Sequence, residues 1–243
     1  MALYLLRRFG FILFTLFLAS VIIFSATQLL PGDVAQVMLG KFATDQALEN
    51  LREELGLNRS ATSQYFHWLG NFITGDWGES MVSRQPVRPL IIGRLRNSAM
   101  LAGVALAFYV PFGILFGVIA ALNRDKPADQ IISGSSMAFV GLPEFVTGLL
   151  LISFFAFGIS IFPANSSIAP GTGFFKALPS LILPAITVSL TGFGYIIRMT
   201  RASTIDVLNT DYVRAADLKG LSRRRVMFTH VLRNSLLPTV TVV

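Results

Sequence analysis

Apolar residues in this chain gather into long uninterrupted runs, and polar residues are confined to the segments between them. The first run lies between Arg8 and Asp33, "FGFILFTLFLASVIIFSATQLLPG". At 1.5 Å per helical residue it is long enough to cross a hydrocarbon core of about 30 Å. Its apolar part exceeds the short core of a secretory signal, and it ends in "LLPGD" rather than a small-x-small cleavage site, so it reads as a first span. A second run extends from Asn97 to Asn123 with Pro111 near its middle, where a kink is expected. The polar turn "NRDKPADQ" follows, and a third run goes from Ile131 to about Phe162, interrupted only by Glu144. The fourth covers Ala177 to Ile197 and contains Pro179 and Pro184. A fifth opens at "SLLPTVTVV" and stops at Val243, about half the length a span needs. The expectation is an all-α integral membrane protein, four full spans plus the start of a fifth.

Between the first two runs, residues 31–96 have the alternation of a soluble segment. In "TDQALENLREELGL" Thr44 is a suitable N-cap, Ala47, Leu48, Leu51 and Leu55 share a helical face, and Gly56 is a stop. "SQYFHWLGNFI" is amphipathic and rich in aromatics, a composition suited to a membrane–water boundary. The chain thus divides into an N-terminal tip and first span (1–30), a helical segment on the far side (31–96), and a membrane core (97–243) carrying a polar loop at 198–235.

Composition then narrows the chemistry. Of 243 residues 53% are hydrophobic and 14% charged, where soluble domains carry about a quarter charged. Cys is absent, which removes disulfides, thiolate metal sites and thiol nucleophiles. The two histidines, His67 and His230, fall on opposite sides of the expected membrane, so no metal site is expected. The net charge of +7 does not point to nucleic acid, because the basic residues cluster beside apolar runs. Arg7 and Arg8, Arg124 and Lys126, and eight basic residues from Arg198 to Arg233 fall on one side under alternating topology; residues 31–96 balance seven basic against seven acidic. By the positive-inside rule the N-terminus and the 198–235 loop are cytoplasmic.

That loop reads as two helices. The first runs from Arg198 to a stop at Gly220, with Tyr212, Ala215, Ala216 and Lys219 on one face. The second starts at Ser222, and its first turn holds Arg223, Arg224 and Arg225, against the helix dipole. Membrane lipid headgroups account for the arginines. Small alanines suit close approach of a partner protein better than lipid insertion.

"DYVRAADLKGLSRRRVMFTHVLRNSLLP" resembles the cytoplasmic coupling segment, the EAA motif, of ABC importer permeases (type I), in the dipeptide, oligopeptide and nickel branch. "LLRR", "LLPGD", "LREELGL", "GDWGES" and "LPSLILPAITVSL" extend the resemblance along the chain. Ala215 and Ala216 match the motif's alanines and Gly220 its glycine. Arg214 stands where the motif has glutamate, and Asp211 occupies the usual acidic slot. Of the wider motif only Leu232 is matched, His230 and Arg233 departing from it, and Pro238 supplies the later proline of the peptide branch. The resemblance implies a non-catalytic permease subunit of the bacterial inner membrane, without a cofactor. It also implies a second permease in a heterodimer, two ATP-binding-cassette ATPases and an extracytoplasmic substrate-binding protein. No G-x-x-x-x-G-K-[ST] loop occurs here, so ATP is expected to be hydrolysed by the partners.

Within this resemblance Ala215, Ala216 and Gly220 are expected to make the close ATPase contact, with Tyr212 on the same face and Asp211, Arg214 and Lys219 at the rim. Glu144, an acid inside an apolar run, is either a substrate-pathway group or an end-of-helix residue after Pro143. Thr187, Ser189 and Thr191 line the fourth run; Thr187 and Thr191 are pathway candidates, against the alternative that such hydroxyls bond their own helix. Peptides are the expected substrates, with nickel or glutathione as alternatives. A secondary transporter, which needs paired intramembrane charges and repeated halves, and a membrane scaffold are the competing classes. A six-span family fold implies that a chain stopping in its fifth run is a fragment or a truncated product.

Overall fold

The computed structural model describes residues 1–243 except 30–33, 41–42, 81–82 and 242–243. The end of the first run at "LLPGD" therefore lies largely outside the described residues. Helices account for nearly all regular structure among them; a single bridge pairs Glu79 with Pro86. The chain falls into two units, Met1–Gly93 and Arg94–Val243.

In the first unit, α1 (Ala2–Leu29) is the first apolar run, already helical through Arg7 and Arg8. A short α2 (Val34–Leu39) precedes α3 (Asp45–Glu54). Thr44 caps α3 as expected: it is extended, and its hydroxyl accepts from the Ala47 amide at 3.3 Å. Gly56 ends the segment at φ +66°, a conformation that favours glycine. α4 (Ala61–Thr74) begins at an N-cap Ser60 and ends at Gly75, φ +92°. It packs on α1 through Tyr65, which is buried among Phe17, Phe24 and Trp68 and shares a 2.8 Å hydrogen bond with Ser20. The aromatic helix is thus fastened to the first span by a part-buried hydroxyl pair as well as by apolar contact. His67 shares a 3.1 Å hydrogen bond with Asn71, one turn away.

α5 (Val87–Leu122) begins ten residues before the second apolar run, so Arg88, Arg94 and Arg96, expected in the helical segment outside the membrane, belong to the same helix as that run. It continues unbroken past Pro111.

In the second unit, the third apolar run is two helices rather than one. α6 (Pro127–Gly141) and α7 (Glu144–Leu151, continued by a π-helical turn, Ile152–Gly158) meet at a 106° bend. Pro143 explains the bend: it has no amide hydrogen to donate, and its ring holds the preceding Leu142 extended, at ψ 130°. α8 (Phe174–Leu208) is the central element, against which α6, α7 and α11 pack. Then follow α9 (Asp211–Leu218), α10 (Arg223–Arg225), a π-helical stretch (Val226–Val231) and α11 (Leu232–Val240).

Among the described residues three helices, α1, α5 and α8, are long and apolar enough to cross a membrane, and four if the bent α6–α7 pair counts as one span. α8 packs through glycines. A Cβ at Gly113 or Gly117 of α5 would lie 2.7 Å from Ile196 or 2.6 Å from Thr200, and one at Gly194 would lie 2.5 Å from the Ser136 carbonyl of α6. Close approach of backbones is how helices associate where no hydrophobic force separates lipid from protein.

Candidate functional site

The polar loop between α8 and α11 holds the residues that the sequence singles out, and its local structure follows from three positions. Thr210 is extended, at φ −77° and ψ 150°, and separates α8 from α9. The single helix expected from Arg198 to Gly220 is therefore two. "NTD" before an apolar-periodic segment is an N-cap signature, and that signal marks the break. Gly220 ends α9 at φ +73°, and the amides around it close both hydrogen bonds of a Schellman motif: Leu221 to the Ala216 carbonyl at 3.3 Å and Gly220 to the Asp217 carbonyl at 2.9 Å. Ser222, also extended, starts the next helix.

α9 has an inner and an outer side. Val213 and Ala216 are buried in a cluster with Val226 and Val231, and Leu221, beyond the glycine, packs against the same cluster. Ala216, expected to touch another chain, thus seats α9 on its own protein. Asp211, Tyr212, Arg214, Ala215, Leu218, Lys219 and Gly220 are exposed, Leu218 at 90%. Tyr212 reaches across to the following helix, where Asn234 donates to its hydroxyl at 2.9 Å. Sequence reasoning passed over Val213 and Leu218; the period of a helix groups residues by face without saying which face is inward.

The seat of α9 is itself held from several directions. Ser203 of α8 donates to the Ser235 carbonyl of α11 at 2.7 Å, and Thr200 pairs with Thr239 at 3.1 Å. Arg201 forms a fork with Asp129 of α6: Nε to Oδ1 and Nη2 to Oδ2, both at 2.6 Å. The Asp125 amide and the Ser133 hydroxyl, each at 3.0 Å, complete the ring of donors around this carboxylate, which is 3% exposed. Neither Asp129 nor Arg201 stood out in the sequence, because 72 residues separate them.

The other candidates lie further along the same unit. Glu144 is the exposed first residue of α7, with Pro143 as its N-cap. One turn on, Gly148 approaches Thr187 of α8, whose methyl would lie 3.2 Å from a Cβ there. Thr187 donates to the Leu183 carbonyl at 2.9 Å and Ser189 to that of Ala185, as hydroxyls on membrane helices do. Thr191, half-buried, is one turn from Thr187.

Two family models match the chain. Residues 113–243 match the binding-protein-dependent transport system inner membrane component, and residues 1–102 match the N-terminal part of such membrane components. The chain belongs to this family. It is an ABC-type permease and an integral inner-membrane protein, and the family operates with ATPase and substrate-binding components. The permease is 35% identical over 243 residues to a probable peptide ABC transporter permease of Sinorhizobium fredii, covering 100% of this chain and 78% of that one. It is 34% identical over 238 residues to the glutathione transport system permease of Escherichia coli K12, covering 98% and 75%. The corresponding glutathione permease of Shigella dysenteriae matches at the same identity and coverage. The chain therefore groups with the peptide branch of the ABC permeases.

Proposed function

We propose that this permease forms, with a second permease subunit, the membrane pathway of an ATP-driven importer for short peptides, with its N-terminus and α9 in the cytoplasm. Glutathione is itself a tripeptide, so both kinds of relative support one substrate class. The observation that carries the coupling role is the two-sidedness of α9. Its inner edge, Val213 and Ala216, is fixed to the protein, and its outer edge offers Tyr212, Ala215 and an almost fully exposed Leu218. An exposed large apolar side chain between charged neighbours suits a groove on a soluble partner. Asp211, Arg214 and Lys219 surround that contact. Two ATPase subunits hold the two coupling helices, and an extracytoplasmic binding protein delivers substrate.

Nucleotide-driven closure of the ATPases moves α9, and α9 moves α8 and α11, between which it is anchored. The pathway then alternates between inward-open and outward-open states, provided the ATPases bind the two states unequally. Glu144, Thr187 and Thr191 are assigned to the pathway in this reading, which the approach of α7 to α8 at Gly148 and Thr187 supports.

Gly220→Val tests the coupling role. A β-branched residue at φ +73° is strained by about 1–3 kcal/mol, enough to unwind the end of α9 while the spans stay folded. In proteoliposomes holding the whole complex, ATP-dependent uptake of a labelled dipeptide is expected to fall at least tenfold, with unchanged permease content. Undiminished uptake would remove α9 from the mechanism.

A further inference from the structure

We infer that the Asp129–Arg201 fork is a positioning device that fixes the register of α6 against α8, so that displacement of α9 reaches the bent α6–α7 pair. This deepens the proposed function and rests on it.

Helix contacts of two kinds hold α8. Those made by Gly113, Gly117 and Gly194 set how near the neighbouring helices come. They are van der Waals contacts between small surfaces, and such surfaces resist separation far better than sliding. Hydrogen bonds, being directional, resist sliding as well. Between α8 and α11 the Thr200–Thr239 and Ser203–Ser235 bonds do this. Between α6 and α8, among the described residues, only the two bonds of the fork do.

The fork is built for rigidity. Of the ion pairs between described residues it alone buries its carboxylate; the Arg52–Glu49 and Arg124–Asp125 pairs are open to solvent. A planar guanidinium meeting a carboxylate at two points fixes angle as well as distance. Asp129 is fixed in turn by the Asp125 amide and by Ser133, so the carboxylate does not rotate away when α8 is pulled. Asp129 sits in the first turn of α6, whose other end is the 106° bend before Glu144. Arg201 lies on α8 about two turns before its end at Leu208, beyond which the chain breaks and enters α9. The fork therefore joins the last turns of α8, which lead into the coupling helix, to the root of the bent pair. Without it, α8 slips along the glycine contacts and the bend does not follow.

A fork that served stability alone is distinguishable from a register device by neutralising both partners. Breaking one partner leaves a buried charge unpaired, whereas replacing both leaves none. The double variant D129N/R201M in the assembled complex is thus expected to reach native abundance and to retain ATP hydrolysis, while substrate transported per ATP falls at least tenfold. A native transport-to-hydrolysis ratio in that variant would overturn the inference. A second variant guards against misfolding. The chain has no cysteine, so D129C/R201C carries the only thiol pair in this subunit. Joining the two with a short bifunctional maleimide is expected to restore the ratio that the unlinked form lacks; a linked complex as uncoupled as the unlinked one counts against the register role. The native complex is the control: absence of ATP-dependent uptake there refutes the proposed function itself, a result separate from either variant's.

Discussion

Ala215 and Ala216 are adjacent, chemically identical and placed in opposite surroundings. Ala216 is buried against Val213, Val226 and Val231, and Ala215 is exposed. Enlarging each has a different consequence. Ala216→Leu adds volume to a filled cluster, an overpacking of about 1–3 kcal/mol, and is expected to loosen α9 from its seat, seen as faster proteolytic cleavage between residues 209 and 222. Ala215→Leu is expected to leave cleavage unchanged and to reduce co-purification of the ATPase subunits. Equal cleavage of both variants would place the inner edge of α9 elsewhere. The two alanines were legible as a pair of small residues on a helix, but their directions were not. Val226 and Val231, on the next helix, decide them, and a single sequence carries no statement about which helical face meets which later segment. The same is true of Asp129 and Arg201, which are partners across 72 residues of sequence. Thr44, Gly56 and Gly220 were legible because a cap or a stop depends on the few residues around it.

At the level of elements the apolar runs marked the helices well and their ends poorly. α5 starts at Val87 because nothing in "VRPLIIGRLR" breaks a helix after its first turn, Pro89 being tolerated there; the charges at Arg88, Arg94 and Arg96 had set the start of the run at Asn97. The third run looked continuous in composition and is bent because Pro143 acts on backbone geometry, which hydropathy does not register. Gly113 and Gly117 form a G-x-x-x-G pattern, a readable sign of a close helix contact. A side chain at Gly117 meets both Thr200 and the Ile197 carbonyl at under 3.0 Å, whereas one at Gly103, on the same helix, meets nothing within 4 Å. Gly117→Val is therefore expected to destabilise the α5–α8 pairing by about 3 kcal/mol or more and to lower membrane abundance several-fold. Gly103→Ala is expected to accumulate normally. Quantitative blotting of membranes checks both; normal abundance of Gly117→Val would mean that α5 and α8 are not in contact there.

For the whole molecule, the proposed sidedness rests on charge. Basic residues cluster at the N-terminus, at Arg124 and Lys126, and in the 198–235 loop, whereas the 31–96 segment is balanced. The absence of cysteine makes this orientation directly measurable. With a membrane-impermeant maleimide, Q46C in α3 is expected to react in spheroplasts and D217C in α9 only in inside-out vesicles. The reverse pattern would invert the topology and remove α9 from the reach of a cytoplasmic ATPase.

The stop at Gly220 has a further consequence. A Cβ there would meet nothing within 4 Å, yet the backbone sits at φ +73°. The position therefore refuses side chains by their chirality and not by their bulk. A mirror-image alanine fits the end of α9 without strain, and among the encoded residues asparagine, which tolerates the left-handed region best, is the nearest substitute for glycine.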